Sequence, residues 1–195
     1  NASSIFGALK IRELWILLIF NVAIGRFMKG VELYFPTYLS TNRNVDEMWA
    51  SVALTLVFAA GVPGQWLGGK AADKFGSKRV LIFTSFGVCV SFLSILFIPV
   101  YVIGIALFIA FYGLSFYGHQ PALNSLAGLL SPESQRGAVY GIFFFTSFGI
   151  GSLSQPLAGY IADAYGLDWA FGMFAAFAFA ALLLSFKLPS KKGRD

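Results

Sequence analysis

Residues 69–79 read Gly69-Lys70-Ala71-Ala72-Asp73-Lys74-Phe75-Gly76-Ser77-Lys78-Arg79, and this stretch decides the fold. It is a basic island between two runs that carry no formal charge, Met48–Gly69 before it and Val80–Pro132 after it. Shifting the frame by 90 residues uncovers a second copy of the region. Phe58, Gly61, Gln65, Leu67, Gly69, Ala72, Asp73 and Gly76 recur as Phe148, Gly151, Gln155, Leu157, Gly159, Ala162, Asp163 and Gly166. The shared corner is Gly-x-x-x-Asp-x-x-Gly. Its first Gly lets helices approach closely, its Asp suits a helix N-terminus, where the dipole favours negative charge, and its last Gly permits a tight turn. The first copy carries Lys74, Lys78 and Arg79, whereas the second has no Lys or Arg.

The runs on either side have the length of membrane crossings, which need about 20 mainly apolar residues each. Val80–Pro132 holds 53 uncharged residues, too many for one crossing, and Ile98-Pro99-Val100 is the natural place to fold back. Gly137–Ala162 and Trp169–Phe186 are also uncharged, and Leu14–Leu39 is apolar apart from Arg26, Lys29 and Glu32. Six spans follow, at about 14–39, 48–69, 80–98, 101–130, 138–161 and 169–186. In hydrocarbon every backbone N–H and C=O must be bonded internally, which favours helices. The runs lack the strict alternation of a lipid-facing barrel strand. The expected fold is therefore all-α and polytopic. Composition agrees, with 57% hydrophobic and 12% charged residues and a mean hydropathy of +0.74. A soluble domain carries about 25% charged residues, so a soluble enzyme is excluded.

Copies three spans apart point in opposite directions. The pattern is that of an inverted 3+3 repeat, a common way to build secondary transporters. Repeat one covers about 14–98, repeat two about 101–186, and a basic tail fills 187–195. Threading the spans puts Lys10, Arg12, Lys70, Lys74, Lys78, Arg79, Arg136, Lys187, Lys191, Lys192 and Arg194 on one side. The other side has only Arg43, among Asp46, Glu47, Asp163 and Asp168. Positive loops stay inside, so a multi-pass protein of the cell membrane with both termini cytoplasmic is expected. The cations form short collars beside spans rather than one stripe between stacking aromatics, so no nucleic-acid surface is expected.

The island Gly69–Arg79 resembles the signature loop of the major facilitator superfamily, Gly-x-x-x-Asp-Arg/Lys-x-Gly-x-Arg/Lys-Arg/Lys. Gly69, Asp73, Lys74, Gly76, Lys78 and Arg79 match every specified position. The resemblance covers essentially the whole chain but only half of the usual twelve-helix molecule. It implies a secondary active transporter working by alternating access, in which this loop is part of a cytoplasmic gating latch. The signature occurs between helices two and three and often again between eight and nine. The chain opens on Asn1 rather than Met, which suits a fragment, and its basic tail suits a C-terminus, so helices seven to twelve are expected. The partner would be an N-terminal six-helix half or a second copy of this chain. In this family helices seven and ten line the central cavity, and these would be the first and fourth spans.

Composition selects the same two spans. In the first, Asn21, Gly25, Arg26, Lys29 and Glu32 fall within an arc of about 140° at helical spacing. A charge such as Arg26 near mid-membrane costs at least ~2.5–3.5 kcal/mol on insertion scales, so it is expected to face solute or water. A guanidinium grips carboxylate or phosphate through two parallel hydrogen bonds. Lys29 adds a second cation, and Glu32 either exchanges protons or holds Lys29. The bland alternative pairs Arg26 with an acid of the missing half and Lys29 with Glu32. The fourth span offers Tyr112, Ser115 and His119 on one face, and Tyr117, Gln120 and Asn124 on an adjacent one. His119 is a candidate proton relay or anion contact, or a neutral imidazole bonded to a neighbour. Expected substrate contacts are Arg26, Lys29, Tyr112, His119, Gln120 and Asn124, with Glu32 and His119 coupling protons.

The remaining features are read as structural. Gly61, Gly64, Gly68, Gly69, Gly149, Gly151 and Gly159 suit close helix contact. Pro63 and Pro156 are expected to bend the second and fifth spans, Gln65 and Gln155 to join helices, and most of the 22 Phe residues to face lipid. Gly64–Ala71 nearly spells a phosphate-binding loop, but Ala71 lacks the hydroxyl that holds magnesium. With Cys89 the sole cysteine and His119 the sole histidine, no disulfide, metal or cofactor is expected. The substrate class expected is a small organic anion, moved by symport or antiport and with proton coupling. Proton-driven multidrug efflux is the alternative, and a non-transporting scaffold or receptor module the reading from another class.

Overall fold

Every apolar run forms helix in the computed structural model, which describes residues 12–190. The elements are α1 (Arg12–Asn42), α2 (Glu47–Phe75), α3 (Ser77–Phe97), α4 (Tyr101–Leu130), α5 (Arg136–Phe144), α6 (Ser154–Tyr165) and α7 (Leu167–Phe186). A π-helical segment, Phe145–Ile150, follows α5. Together with α5 and α6 it makes the fifth span, Glu133–Tyr165. Among the described residues six segments are long and apolar enough to cross a membrane, so the chain is a multi-pass membrane protein. Lys10, Lys191, Lys192 and Arg194 lie outside the described residues.

The signature stretch is less of a loop than its spacing suggests. Helix α2 continues to Phe75 and α3 starts at Ser77, so only Gly76 is non-helical. Lys78 and Arg79 therefore sit in the first turn of α3, where a cation opposes the helix dipole, whereas Lys74 in the last turn of α2 complements it. Gly76 has φ 86° and its repeat mate Gly166 has φ 96°. A side chain at either place would be strained, and the turn role expected of both glycines is observed. The capping role expected of Asp73 is not: α3 begins at Gly76 without a side-chain cap. Asp46 does cap, accepting a hydrogen bond from the Met48 backbone N–H at 3.0 Å.

Pairing between helices follows small residues and rings. α2 packs on α4, and the fifth span on α1; α3 packs on α4, and α7 on α1; α3 and α7 meet each other. A Cβ on Gly68 would fall onto the carbonyl oxygen of Gly118, and one on Gly64 would lie 2.6 Å from that of Leu114. On the other side a Cβ on Gly151 would lie 2.8 Å from the carbonyl oxygen of Gly25. Gly69 differs from the expectation, since a Cβ there meets nothing nearer than Pro121 at 3.8 Å. Gly149 meets only Phe145 of its own segment. The close approach belongs to Gly68, one residue before the signature.

Many Phe residues, Phe83, Phe97, Phe145 and Phe186 among them, are exposed as expected, while others turn inward. Phe20, Phe27, Phe35, Phe92, Phe108 and Phe116 are buried. A ladder runs Phe35–Phe108–Tyr112–Phe116 with ring centroids 4.6, 5.0 and 5.1 Å apart. Phe27 and Phe92 meet its flank edge-on. Lipid tails are as apolar as Phe, so burial gains little from the hydrophobic effect and packing decides. Offset and edge-to-face rings supply that packing.

The prolines act unequally. α2 runs unbroken through Pro63, whereas the fifth span is interrupted. Pro156 stands in the first turn of α6, where its missing N–H is tolerated.

Candidate functional site

Helices α1 and α4 and the fifth span enclose a polar groove of about 170 Å³. α4 contributes His119, Gln120 and Asn124, α1 contributes Asn21, and the fifth span contributes Tyr140, Ser147 and Phe148. Three expected residues are thus brought together. The groove opens where Asn124, Phe144 and Phe148 are exposed.

Asn21 is 3% exposed. Its amide donates to the carbonyl oxygen of Phe143 at 2.8 Å and to the Thr146 hydroxyl at 2.9 Å. This ties α1 to the start of the π-helical segment, which crosses α1 where Gly25 leaves room for the Ser147 backbone. π-helical turns are frequent at functional sites. Asn21→Ala is expected to destabilise the protein by about 1 kcal/mol, since inter-helix hydrogen bonds in membranes are worth ~0.6–2 kcal/mol. Denaturant titration in detergent checks this.

His119 is 5% exposed and reaches both the groove and the core. Its Nδ1 is bonded to the carbonyl oxygen of Phe116 in its own helix. A carbonyl only accepts, so Nδ1 is the donor in this bond. Gln120 accepts from the Gln65 amide at 3.2 Å. Gln155, the repeat mate of Gln65, donates to the carbonyl oxygen of Lys29 at 3.2 Å. Both Gln residues join helices as expected. Tyr140 donates to the backbone oxygen of Asn124 at 3.2 Å.

The first-span charges divide. Lys29 and Glu32 form an ion pair at 2.6 Å, the i,i+3 arrangement. The Lys29 ammonium also lies 4.9 Å from the centre of the Phe148 ring, which lines the groove. Arg26 turns the other way and rests over Phe177 of α7, 5.8 Å from the ring centre. Among the described residues no carboxylate pairs with it. Arg26 and Lys29 share a stripe of α1 with Ile19, Leu33 and Thr37 that the bundle leaves partly or fully uncovered.

Tyr112 lies elsewhere. It is 2% exposed, stacked within the aromatic ladder, and among the described residues its hydroxyl has no hydrogen-bond partner. Of the signature residues, Asp73, Lys74, Gly76 and Arg79 are exposed. Just before them, Lys70 covers the Trp66 ring at 3.8 Å. Asn21, Tyr140 and Ser147 were not among the expected contacts. Asn21 already lay on the polar arc of the first span, while nothing in the run 140–148 marks Tyr140 and Ser147 as neighbours of His119.

Six membrane helices in this pairing, with a groove of mixed polar and aromatic lining between α1, α4 and the fifth span and a basic corner after the second, define a class. Residues 2–156 match the family model of the Major Facilitator Superfamily, and the chain belongs to that family. It is 28% identical to the multidrug efflux pump Tap of Mycolicibacterium fortuitum, over 84% of this chain and 38% of Tap. It is 27% identical to the fosmidomycin resistance protein of Escherichia coli K12, over 92% of this chain and 43% of that protein. The chain thus spans about two-fifths of the length of these relatives. Its fold is similar to that of a peptide transporter, POT, with TM-score 0.80 and 20% identity over 89% of this chain and 37% of that one. It is also similar to the xylose transporter XylE from E. coli, with TM-score 0.73 and 15% identity over 91% of this chain and 48% of XylE.

Proposed function

We propose that this chain is one six-helix half of a secondary active transporter that works by alternating access. Solute binds near mid-membrane between this bundle and a partner, either an N-terminal half or a second copy, and the two rock about it. The observation that carries the reading is a groove between α1, α4 and the fifth span that brings Asn21, His119, Gln120 and Asn124 together. Lys29 and Glu32 neutralise each other, so the net positive charge at this depth rests on Arg26. The substrate class that fits is a small organic anion, a carboxylate or phosphate ester.

Glu32 and His119 are the proton-coupling groups of this proposal. Protonating Glu32 releases Lys29 to meet an anion at the groove rim, and Nε2 of His119 is the ring atom free to take a proton. Arg26, Lys29, His119, Gln120 and Asn124 are the proposed contacts from the sequence, joined by Asn21, Tyr140 and Ser147. Tyr112 packs behind them.

The exchanged pairing of the spans, the two positive-φ glycines and the matched Gln65 and Gln155 bonds support an inverted 3+3 repeat. The cation bias supports cytoplasmic termini. Drug export is favoured by one specific observation: the groove is walled by Phe143, Phe144 and Phe148, which suit apolar compounds. Counterflow in vesicles holding the full transporter separates the two. Labelled organic anions are expected to exchange faster than a lipophilic cationic dye, and exchange of the dye alone would replace the anion by a drug.

A further inference from the structure

A second groove, of about 610 Å³, lies on the outside of the bundle between α2, α3 and α4. A third, of about 600 Å³, lies between α6 and α7. Ala71, Phe75, Arg79 and Phe83 line one, and Ile161, Tyr165, Trp169 and Met173 line the other. Each pair is separated by 90 residues, the repeat offset. The two grooves are therefore the same construction made twice, at corners that open on opposite sides of the membrane. They differ at the mouth, where Arg79 in one stands in the place of Trp169 in the other.

We propose that the groove under Arg79 holds an anionic phospholipid of the adjacent leaflet, with one acyl chain along α2 and the phosphate on the guanidinium. The depth fits one leaflet. Its α2 wall runs from Gly64 to Phe75, about 17 Å at 1.5 Å per residue, against roughly half of a 30 Å hydrocarbon core. Gly64, Gly68 and Gly118 line the floor, where α2 meets α4, and the exposed rims are Leu67, Phe75 and Phe83. Arg79 is exposed, and among the described residues no carboxylate neutralises it, so the mouth is complementary to a phosphate. Trp169 makes the opposite mouth an interfacial aromatic anchor with no charge to select a headgroup.

The test is native mass spectrometry of the full transporter in detergent with equimolar phosphatidylglycerol and phosphatidylcholine. Preferential retention of phosphatidylglycerol is expected. Arg79→Gln is expected to lower that preference about five-fold, the weight of one cation near an anionic headgroup. Arg79→Lys is expected to keep most of it, and Lys74→Gln and Trp169→Leu all of it. Ala71→Ile, which gives this groove the residue of its mate, is expected to lower retention of both lipids without changing the preference. Equal losses from Arg79→Gln and Lys74→Gln would overturn the proposal, reducing the effect to the general basic collar. So would an unchanged preference in Arg79→Gln, or no lipid retained, the outcome if the partner half covers the groove.

Discussion

Gly68→Val is expected to prevent the bundle from assembling, while Gly69→Ala, one residue further on, is expected to be tolerated. The contrast comes from what each new side chain would meet. At Gly68 the Cβ falls on the Gly118 carbonyl, backbone against backbone, so no rotamer change relieves it. Overpacking usually costs ~1–3 kcal/mol when side chains can shift. Here two helices must separate, which also loosens the Gly64–Leu114 contact one turn away. At Gly69 the nearest atom is the Cβ of Pro121 at 3.8 Å, ordinary contact. Size-exclusion profiles and thermal unfolding in detergent check the pair. A folded, monodisperse Gly68→Val protein would contradict the α2–α4 packing described.

Arg26→Gln is expected to abolish anion transport while leaving insertion and folding intact. Gln keeps a polar tip but loses both the charge and the planar fork that grips a carboxylate or phosphate. Hydrogen bonds to charged groups are worth ~1.5–3 kcal/mol each, so losing two weakens anion binding by at least two orders of magnitude. Folding should not suffer, because Arg26 has no carboxylate partner among the described residues and touches the bundle through the Phe177 ring. Such a contact is worth about 0.5–1 kcal/mol at an exposed site. Uptake of labelled anion into vesicles, normalised to inserted protein, reads the effect. Arg26→Lys should retain partial transport, since the charge survives and the fork does not. Normal uptake by Arg26→Gln would remove the anion.

Helix number and order are legible in the residues because hydrocarbon length and charge placement constrain them tightly. The fourth span is expected at 101–130 and found at Tyr101–Leu130, since Pro99 and Pro132 bracket an uncharged run. The second extends to Phe75, because Lys70-Ala71-Ala72-Asp73-Lys74 is polar but still helix-forming, and Gly76 rather than loss of hydropathy ends it. Gln65 and Gln155 are legible as joints through the repeat offset.

The groove is only half legible. Periodicity puts Tyr112 on the same face of α4 as His119, but it does not say what covers that face. Phe27 and Phe92, from two other helices, seal Tyr112 in, while His119, two turns along, reaches the groove. Tyr140 and Ser147 arrive there because the π-helical segment rotates the fifth span over Gly25, a tertiary event with no spacing of its own. Asn21 was visible as a polar residue on the right arc, yet its bonds to Phe143 and Thr146 depend on that same crossing.

The claim beneath the transport reading is that the groove between α1, α4 and the fifth span is a water-filled solute path. It is tested by replacing Cys89, the sole cysteine of this chain, and any cysteine of the rest of the transporter with Ser, and placing single cysteines by Asn124→Cys and Phe108→Cys in the full transporter in vesicles. A charged, membrane-impermeant thiol reagent is expected to modify the cysteine at 124, with a rate that falls when substrate is added, and to leave the one at 108 untouched. Equal inertness at both positions, with or without substrate, would contradict it.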